Sequence, residues 1–317
     1  MKNYKKPNSQ NWTGRISNQK LYLHEKVTFL DLESDVFQTD KQSIAILGYA
    51  CGEGVRRNKG RIGAFEGSDE IRKQLSKMPN HLDTEKDVID AGSIICLDGD
   101  MEKAQTALSN KVTQILEANA LPILLGGGHD IAYGHYNGIK QFVGNKTIGI
   151  INFDAHFDLR NNTNGNNSGT PFYQIAKDCE VDKTDFKYMV LGIRKDANDA
   201  ALFETAKKLD VKIIENDYCN LHRADYVGKE LKRFISSVDH IYVTIDLDGF
   251  SSAYAMGVSA PSPMGFTPDF VLECLQLIIN SKKTISLDIA EMNPKYDVDN
   301  LTAKLAASLV HFVMHKI

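Results

Sequence analysis

The sequence predicts an α/β fold in which helices flank a mainly parallel central sheet. Short apolar strand patterns alternate with amphipathic helix patterns along the chain. The strand patterns are apolar at nearly every position, as expected for strands buried on both faces of a parallel sheet. No Pro-, Gly- or Ser-rich linker and no repeat divides the chain. We therefore expect one domain over residues 1–317, of which residues 1–40 form a polar N-terminal arm.

Each predicted strand is an aliphatic or β-branched run that ends near Gly, Asn or Asp. In chain order, these strands are SIAILGY from Ser43, DVIDAG from Asp87, LPILLGG from Leu121, TIGIINFD from Thr147, YMVLGI from Tyr188, VKIIEN from Val211, HIYVTIDLD from His240 and TISLDIAEMN from Thr284. Each predicted helix repeats apolar residues every three or four positions. These helices are SDEIRKQLSKM, which Ser68 would cap, MEKAQTALSNKVTQILEANA from Met101, AALFETAKKL from Ala200, FVLECLQLIIN from Phe270 and a last helix from Asn300 to His315.

Composition and charge exclude several classes of protein. The chain is 42% hydrophobic and 25% charged, and its net charge of −4 gives no basic surface for nucleic acid. No apolar run approaches the roughly 20 residues of a membrane helix. The opening residues MKNYKKPNSQNWTGR lack the apolar core of a signal peptide, so we expect a cytoplasmic protein. The five widely spaced cysteines, an odd number without a CxxC pair, are expected to be free thiols: Cys51, Cys96, Cys179, Cys219 and Cys274.

Three polar clusters lie where predicted strands end: GGGHD from Gly126, DAHFD from Asp154 and DLD from Asp246. If the strand TIGIINFD continued extended to Arg160, alternate polar residues from Asn152 onwards would share one face. Singly, each cluster could be a capped or hydrogen-bonded turn, and GGGHD could be a phosphate loop, although its acid would repel phosphate. Ligands bind at the carboxyl ends of parallel strands, so the three clusters are expected to meet.

The three clusters together offer six metal ligands: His129, Asp154, His156, Asp158, Asp246 and Asp248. Four carboxylates gathered at one sheet edge need cations to balance their charge. Two imidazoles with four carboxylates and no thiolate favour Mn²⁺ before Zn²⁺. Six ligands are too many for one ion that also keeps a position open for water, so we predict a pair of ions.

With Glu291 in SLDIAEMNP, these motifs resemble the arginase/agmatinase superfamily of binuclear manganese ureohydrolases. Further segments resemble its formimidoylglutamase branch: WTGR from Trp12, RNKGRIGAFEG from Arg57, DAHFDLR from Asp154, SGTPF from Ser168, GVSAPSP from Gly257 and AEMNPKYDVDNLTAKLAA from Ala290. The resemblance extends from about residue 11 to the C-terminus. It implies a three-layer α/β/α arginase-like fold around a central eight-stranded parallel sheet, with two Mn²⁺ per subunit. The superfamily tends to assemble, which makes a homo-oligomer plausible.

The resemblance also implies roles for individual residues. His129 and Asp158 would bind one manganese ion, His156 and Asp248 the other, and Asp154 and Asp246 would bridge. The implied reaction is hydrolysis of N-formimidoyl-L-glutamate to L-glutamate and formamide in histidine degradation. The catalytic candidates are Asp158, which would carry a proton to the leaving amine, and Glu291, which would bind the cationic amidinium.

The implied small-molecule substrate has two carboxylates, which arginine is suited to bind. Arg160 continues the alternating series from Asp158, and Asn58 and Arg61 lie in the loop after the first predicted strand. Arg57 and Arg194 could equally be solvated surface residues. We expect His135, on a helix that follows GGGHD, to be a packing or surface group. The loop from Asn161 to Gly169 could be a mobile rim or a surface insertion.

Three other functions stay open. The first is an agmatinase- or guanidinobutyrase-type ureohydrolase that releases urea. The segment SGTPF has no histidine where arginases place a proton shuttle, which argues against arginase activity. The second is a metal-binding protein without catalysis, and the third is a deacetylase that would use a single zinc ion. Metal stoichiometry and a panel of substrates would separate these cases.

Overall fold

The computed structural model of the chain describes residues 3–17, 19–39 and 43–317. Residues 1, 2, 18 and 40 of the predicted N-terminal arm therefore lie outside the described residues. Ten strands of the described chain form one sheet. They are β1 (Tyr4–Lys5), β2 (Thr28–Phe29), β3 (Ser43–Ala50), β4 (Val88–Ile95), β5 (Ala120–Leu125), β6 (Ile148–Phe153), β7 (Lys187–Ile193), β8 (Lys212–Glu215), β9 (His240–Asp246) and β10 (Thr284–Ala290).

Eight of these strands form a continuous parallel sheet in the order β4-β3-β5-β10-β9-β6-β7-β8. The two-residue strands β1 and β2 both pair with β4, β1 antiparallel and β2 parallel. The parallel eight-stranded sheet predicted above is therefore confirmed, with two short additions at one edge. All eight of its strands were predicted from their apolar runs.

Helices cover both faces of the sheet. They are α1 (Leu23–Lys26), α2 (Glu53–Arg57), α3 (Gly67–Leu75), α4 (Met101–Glu117), α5 (Ile131–Val143), α6 (Pro171–Asp182), α7 (Ala200–Lys208), α8 (Ala224–Ser236), α9 (Pro268–Asn280) and α10 (Leu301–Lys316). Apolar side chains of α3, α8, α9 and α10 pack in one buried cluster, and those of α4 to α7 pack in a second. The two clusters lie on opposite faces of the sheet, which gives three layers. None of the helices in the described chain is long and apolar enough to cross a membrane.

The described part of the N-terminal arm packs against the edge of the sheet where β1 and β2 pair with β4. Trp12, Leu23 and Leu32 are buried there. The indole Nε1 of Trp12 donates to Asp90 Oδ2 at 2.7 Å, and Asp90 Oδ1 accepts from the buried Arg72 at 3.0 Å. The arm thus closes over a buried ion pair at this edge.

Two local predictions were wrong. Helix α3 begins at Gly67 behind a short 3₁₀ turn, so Ser68 lies inside the first helical turn and does not cap it. Strand β6 ends at Phe153, and the chain from Asp154 to Arg160 is a turn, not extended strand. The short helices α1 and α2 and the longer helices α6 and α8 were not predicted.

Candidate metal centre

The metal centre lies at the carboxyl ends of four neighbouring strands, β5, β10, β9 and β6. His129 follows β5, Glu291 follows β10, Asp246 ends β9, and Asp154 follows β6. Strands of a parallel sheet all point the same way, so these four ends meet at one edge. The six predicted metal ligands are brought together there, in two groups that share one residue.

The first group surrounds the imidazole of His129. Its Nδ1 lies 2.9 Å from Asp158 Oδ2, 3.1 Å from Asp246 Oδ2 and 3.2 Å from Asp154 Oδ2. Ligand atoms of all four residues lie within 4.8 Å of one another. His129, Asp154 and Asp246 are almost fully buried, and Asp158 is slightly more exposed. One cation in this space would have three carboxylates and one imidazole around it.

The second group surrounds the imidazole of His156. Its Nδ1 lies 3.1 Å from Asp248 Oδ2 and 3.5 Å from Asp154 Oδ1. Asp154 therefore offers one oxygen to each group, as a bridging ligand would. Asp246 Oδ2 belongs to the first group only, and its Oδ1 accepts from the backbone N–H of Asp248 at 2.8 Å.

The protonation of His129 suits metal binding. Its Nε2 lies 2.9 Å from the Thr244 hydroxyl, which donates its proton to Asp288 Oδ1 at 2.6 Å. The hydroxyl must therefore accept from Nε2–H, which leaves Nδ1 as the ring nitrogen that would bind a metal ion once it is deprotonated. Nδ1 is buried without a hydrogen-bond partner, and so is Oδ1 of Asp248. Unpartnered buried acceptors that face carboxylates are the arrangement that a metal ion satisfies.

The crowding of acids at this edge perturbs their pKa values. Burial, with Asp154 adding to it, raises the pKa of Asp158 to about 6. Burial and nearby carboxylates also raise the pKa values of Asp246 and Asp248. Burial acts in the same direction on Asp154, but hydrogen bonds with His129 and His156 bring its pKa below the ordinary value. These acids can all be ionised only if positive charge lies among them, which divalent cations would supply.

The local chain conformation explains why these residues meet. A Cβ on Gly127 would lie 2.1 Å from the carbonyl oxygen of Cys51, so only glycine lets this loop pass so close to the end of β3. Asp158 and Glu291 both have positive φ, 49° and 67°, which side chains rarely adopt. Such strain is common at functional sites, where the surrounding structure holds it in place.

Asn198 holds the turn that carries His156 and Asp158, and sequence reasoning missed it. Its Oδ1 accepts from the N–H of Phe157 at 3.1 Å. Its Nδ2 donates to the carbonyls of Ala155 and Arg194, both at 2.8 Å. Asn198 lies in the loop after β7, and its side chain is 7% exposed. No local pattern in that loop indicates the role, because all three partners are backbone atoms.

A cavity of about 330 Å³ opens above the metal ligands. It is lined by Asn58, Lys59, Gly60, Arg61, His156, Asp158, Arg160, Ser168, Asn198, Leu202, Asp246, Asp248, Ser259, Ala260 and Glu291. The predicted substrate-binding residues Arg160, Asn58, Arg61 and Glu291 are all among them. The cavity size suits a small polar molecule with water.

The cationic side chains that line the cavity differ in how firmly the surrounding protein holds them. Arg61 Nε donates to the Ser259 carbonyl at 3.0 Å, and its guanidinium lies 4.1 Å from the centre of the Tyr296 ring. Arg61 is thus tied to the cavity wall. Arg160 is exposed at the rim, close to Gly169. Lys59, which was not selected from the sequence, is also exposed and also lines the cavity. Glu291 Oε1 accepts from the N–H of His129 at 2.9 Å, while its Oε2 is buried without a partner.

The loop from Asn161 to Gly169 forms one rim of the cavity. Its ends are closed by the hydrogen bond from the Arg160 N–H to the Gly169 carbonyl, at 2.9 Å. Arg57 ties the loop down by donating to the Asn166 carbonyl at 3.2 Å and to Glu102 at 2.7 Å. The ends of the loop are therefore anchored to the neighbouring structure.

Two further sequence candidates lie outside the cavity lining. Arg194, whose side chain is only 11% exposed, pairs with the exposed Asp196. His135 is fully buried, with Nδ1 2.5 Å from Asp288 Oδ2 and Nε2 2.5 Å from the Ser286 hydroxyl. Asp288 also accepts from Thr244, so His135 belongs to the polar network behind His129.

Known proteins resemble this chain over nearly its whole length. The sequence profile of the Arginase family matches residues 42–315. The formimidoylglutamase of Clostridium tetani (strain Massachusetts / E88) is 38% identical, with 99% of this chain and 96% of that protein covered. Those of Geobacillus sp. (strain WCH70) and Legionella pneumophila (strain Lens) are each 40% identical, over 98% of this chain and 97% of the relative.

Solved structures share the fold. The formimidoylglutamase of Bacillus subtilis strain 168 superposes with a TM-score of 0.83 at 23% identity, covering 96% of this chain and 94% of that one. The formiminoglutamase of Trypanosoma cruzi, solved with Mn²⁺, gives a TM-score of 0.75 at 21% identity, covering 88% and 96%. The arginase of Bacillus subtilis gives 0.74 at 23% identity, covering 86% and 98%. The predicted arginase-like fold is therefore confirmed.

Proposed function

The chain belongs to the arginase family, and we propose that it hydrolyses N-formimidoyl-L-glutamate to L-glutamate and formamide with two manganese ions. The observation that supports the proposal most strongly is the arrangement of side chains at the floor of the cavity. Six ligand side chains and the free Oε2 of Glu291 converge there, beneath cationic side chains at the rim. Formimidoylglutamases that are 38–40% identical over nearly the whole chain support the choice of substrate.

The donor set fits a pair of divalent cations. One ion would be held by His129, Asp154, Asp158 and Asp246, and the other by Asp154, His156 and Asp248. Asp154, which has an oxygen in each group, would serve both ions. Asp246, also expected to bridge, has one oxygen in the first group, while its other oxygen accepts from the Asp248 N–H. Carboxylates and imidazoles without a thiolate suit Mn²⁺, the ion bound in the Trypanosoma cruzi enzyme. When bound, the two ions would neutralise the carboxylates and lower the pKa of water towards neutrality.

Glu291 is proposed to orient the reacting group. The formimidoyl group is a cationic amidinium, and the unpartnered Oε2 of Glu291 can accept its N–H. The second oxygen of Glu291 is held by the His129 N–H, so the carboxylate is fixed before substrate arrives. A fixed acceptor aligns the formimidoyl carbon over the metal ligands without a cost in side-chain entropy.

Asp158 is proposed to move the proton. Attack of water on the formimidoyl carbon gives a tetrahedral species and releases one proton, which Asp158 takes. Asp158 then gives that proton to the glutamate nitrogen as the C–N bond breaks. The hydroxyl proton of the tetrahedral species goes to the same nitrogen as the C=O bond of formamide forms. The products are formamide and glutamate with a protonated amine, so atoms and charge balance. The position of Asp158 between the ligand cluster and the cavity suits both transfers.

Arg160 is proposed to bind a substrate carboxylate, with Asn58 and Arg61 contributing at the same wall. Arg160 lies at the rim, two residues after the ligand Asp158. A guanidinium can hold a carboxylate through two parallel hydrogen bonds. Agmatine has no carboxylate to bind Arg160, and guanidinobutyrate has one where the formimidoyl substrate has two.

The test is release of formamide and glutamate by Mn²⁺-loaded protein, with agmatine and arginine assayed in parallel. We expect turnover of the formimidoyl substrate alone. Arg160→Ala should raise KM by about 10- to 100-fold, as expected for a lost charged hydrogen bond, with metal retained. Arg233→Ala, an exposed arginine of α8 paired with Glu230, is the matched control and should behave as wild type.

Two results would overturn the proposal. Release of urea from agmatine or arginine, without turnover of the formimidoyl substrate, would support the metal centre but show that the proposed substrate is wrong. Full Mn²⁺ occupancy without turnover of any amidine would indicate a metal-binding protein.

A further inference from the structure

Two cysteines lie side by side at the ends of neighbouring strands. In the pairing of β3 with β4, Tyr49 lies opposite Ile94 and Ala50 opposite Ile95. The N–H of Cys96 donates to the Ala50 carbonyl at 3.0 Å, so the pairing continues one step beyond β4 and places Cys51 beside Cys96. Neighbouring strands lie about 4.8 Å apart, within the Cα separation of about 4.4–6.8 Å that a disulfide spans.

The two side chains also point the same way. Cys51 is buried in the hydrophobic cluster on the α4–α7 face of the sheet, and Cys96 packs against that cluster with part of its surface exposed. Interaction between the two thiols lowers the pKa of Cys96 and, together with burial, raises the pKa of Cys51. The pair thus combines a partly exposed thiol, whose pKa is lowered, with a buried thiol whose pKa is raised.

The other cysteines do not share this arrangement. Cys179, Cys219 and Cys274 are all buried. The thiol of Cys179 contacts the Tyr136 hydroxyl, and Cys219 faces backbone carbonyls. Burial raises the pKa values of Cys219 and Cys274, so both thiols resist ionisation.

We propose that Cys51 and Cys96 are a redox modification site, at which a peroxide converts the two thiols to a reversible disulfide. The Cys96 thiolate attacks a peroxide oxygen, the O–O bond breaks, and a sulfenic acid and one water form. The Cys51 sulfur then attacks the Cys96 sulfur, the S–O bond breaks, and a second water leaves. Two thiols lose two electrons in total, and hydrogen peroxide gains them. A small thiol reverses the change by exchange.

The pair is coupled to the metal centre by the backbone. The Cys51 carbonyl accepts from the N–H of Gly128 at 3.0 Å, directly before the ligand His129. That carbonyl is also the atom that a side chain on Gly127 would meet first. A bond that draws Cys51 towards Cys96 therefore acts on the support of the His129 loop, and oxidation lowers Mn²⁺ affinity. This consequence rests on the metal centre proposed above, whereas formation of the disulfide does not.

The experiment exposes the full chain to a small excess of hydrogen peroxide, followed by alkylation and peptide mass spectrometry. A Cys51–Cys96 peptide should appear, with loss of two titratable thiols per chain, and dithiothreitol should restore both. Cys96→Ser, a change at a partly exposed position, should abolish the bridge, and the matched control Cys274→Ser should leave it intact. Persistence of both free thiols, or oxidation of Cys96 to sulfinic acid without bridging, would overturn the proposal.

Mn²⁺ titration of the reduced and oxidised chains tests the coupling. We expect affinity to fall at least fivefold on oxidation and to recover with dithiothreitol, and no fall in Cys96→Ser. Equal affinity in the two forms would overturn the coupling. Absence of Mn²⁺ binding by the reduced chain would be a failure of the proposed function instead, and the peptide analysis would still decide the disulfide.

Discussion

Thr244→Val removes one hydroxyl and almost no volume. Thr244 is not a proposed metal ligand, but its hydroxyl contacts the imidazole of the proposed ligand His129. The Thr244 side chain is fully buried on β9, where its hydroxyl joins His129 Nε2, at 2.9 Å, to Asp288 Oδ1, at 2.6 Å. The acceptor at Nε2 keeps the proton of His129 on that nitrogen. Valine fills the same space without an acceptor, so the preferred tautomer of His129 is no longer fixed.

The magnitude follows from the two states open to His129 in the variant. If the proton stays on Nε2, a buried N–H loses its partner at a cost of about 1–3 kcal/mol. If the proton moves to Nδ1, it can bond to Asp154, Asp158 or Asp246, but the lone pair needed for metal is lost. The metal-bound form must keep the proton on Nε2 and bear that cost, whereas the metal-free form avoids it by moving the proton to Nδ1, so affinity falls by up to the same free energy. At about 1.4 kcal/mol per factor of ten, Mn²⁺ affinity should fall roughly 5- to 150-fold.

The assay is a Mn²⁺ titration in which free Mn²⁺ is counted by electron paramagnetic resonance. Urea unfolding in the presence of a chelator measures the stability of the metal-free chain in parallel. Thr113→Val is the matched control, because its buried hydroxyl donates to the Gly138 carbonyl at 3.0 Å, remote from the metal centre. We expect the control to lose stability and keep its affinity. A folded Thr244→Val chain that binds Mn²⁺ within twofold of wild type would refute the reasoning.

Three further predictions concern the same site. Glu291→Gln keeps an acceptor for the His129 N–H but removes the charge that faces the amidinium, so kcat/KM should fall at least about 100-fold with Mn²⁺ content unchanged; loss of metal would contradict this role. Asn198→Asp leaves the Ala155 and Arg194 carbonyls without a donor and should cost about 1–3 kcal/mol in urea unfolding, whereas unchanged stability would show that the turn does not depend on it. Because the pKa of Asp158 is raised to about 6, a proton competes with metal below that pH. Mn²⁺ affinity measured from pH 8 to 5 should therefore fall through pH 6, and a flat profile would count against Asp158 as a ligand.

The strands could be predicted because burial on both faces leaves long apolar runs in the sequence. Two of the missed helices, α6 and α8, carry a signal in the sequence. Helix α8 buries Val227, Leu231, Phe234 and Ile235, which recur at helical spacing. Helix α6 begins with Pro171 at a position that proline favours. The cap assigned to Ser68 was wrong because a 3₁₀ turn feeds directly into α3, and local sequence does not reveal that connection.

The ligand types could be predicted from three short motifs, but the way they meet could not. The strands that carry the site follow one another in the sheet as β5, β10, β9 and β6, which is not their order in the chain. That order places Glu291 between His129 and Asp246, because β10 is inserted between β5 and β9. Thr244 and Asn198 escaped notice for a related reason. Each is an ordinary polar residue whose role depends on partners that only the folded chain brings near.

The alternation after Ile148 pointed to residues that do converge in the fold, but through the wrong geometry. An extended strand to Arg160 would have buried Phe153 and Phe157 on one side of the sheet, yet they lie in the two opposite core clusters. The turn after Phe153 instead brings Asp158 to the site with a φ of 49°, at a cost of about 1–3 kcal/mol. Bonds within the protein hold that turn: Asn198 binds the Phe157 N–H, and the Tyr188 hydroxyl donates to the Phe157 carbonyl at 3.1 Å. Because these bonds need no metal, the fold already holds the proposed ligands of this turn in place. Metal binding therefore requires no further ordering of the turn and carries no entropic cost there.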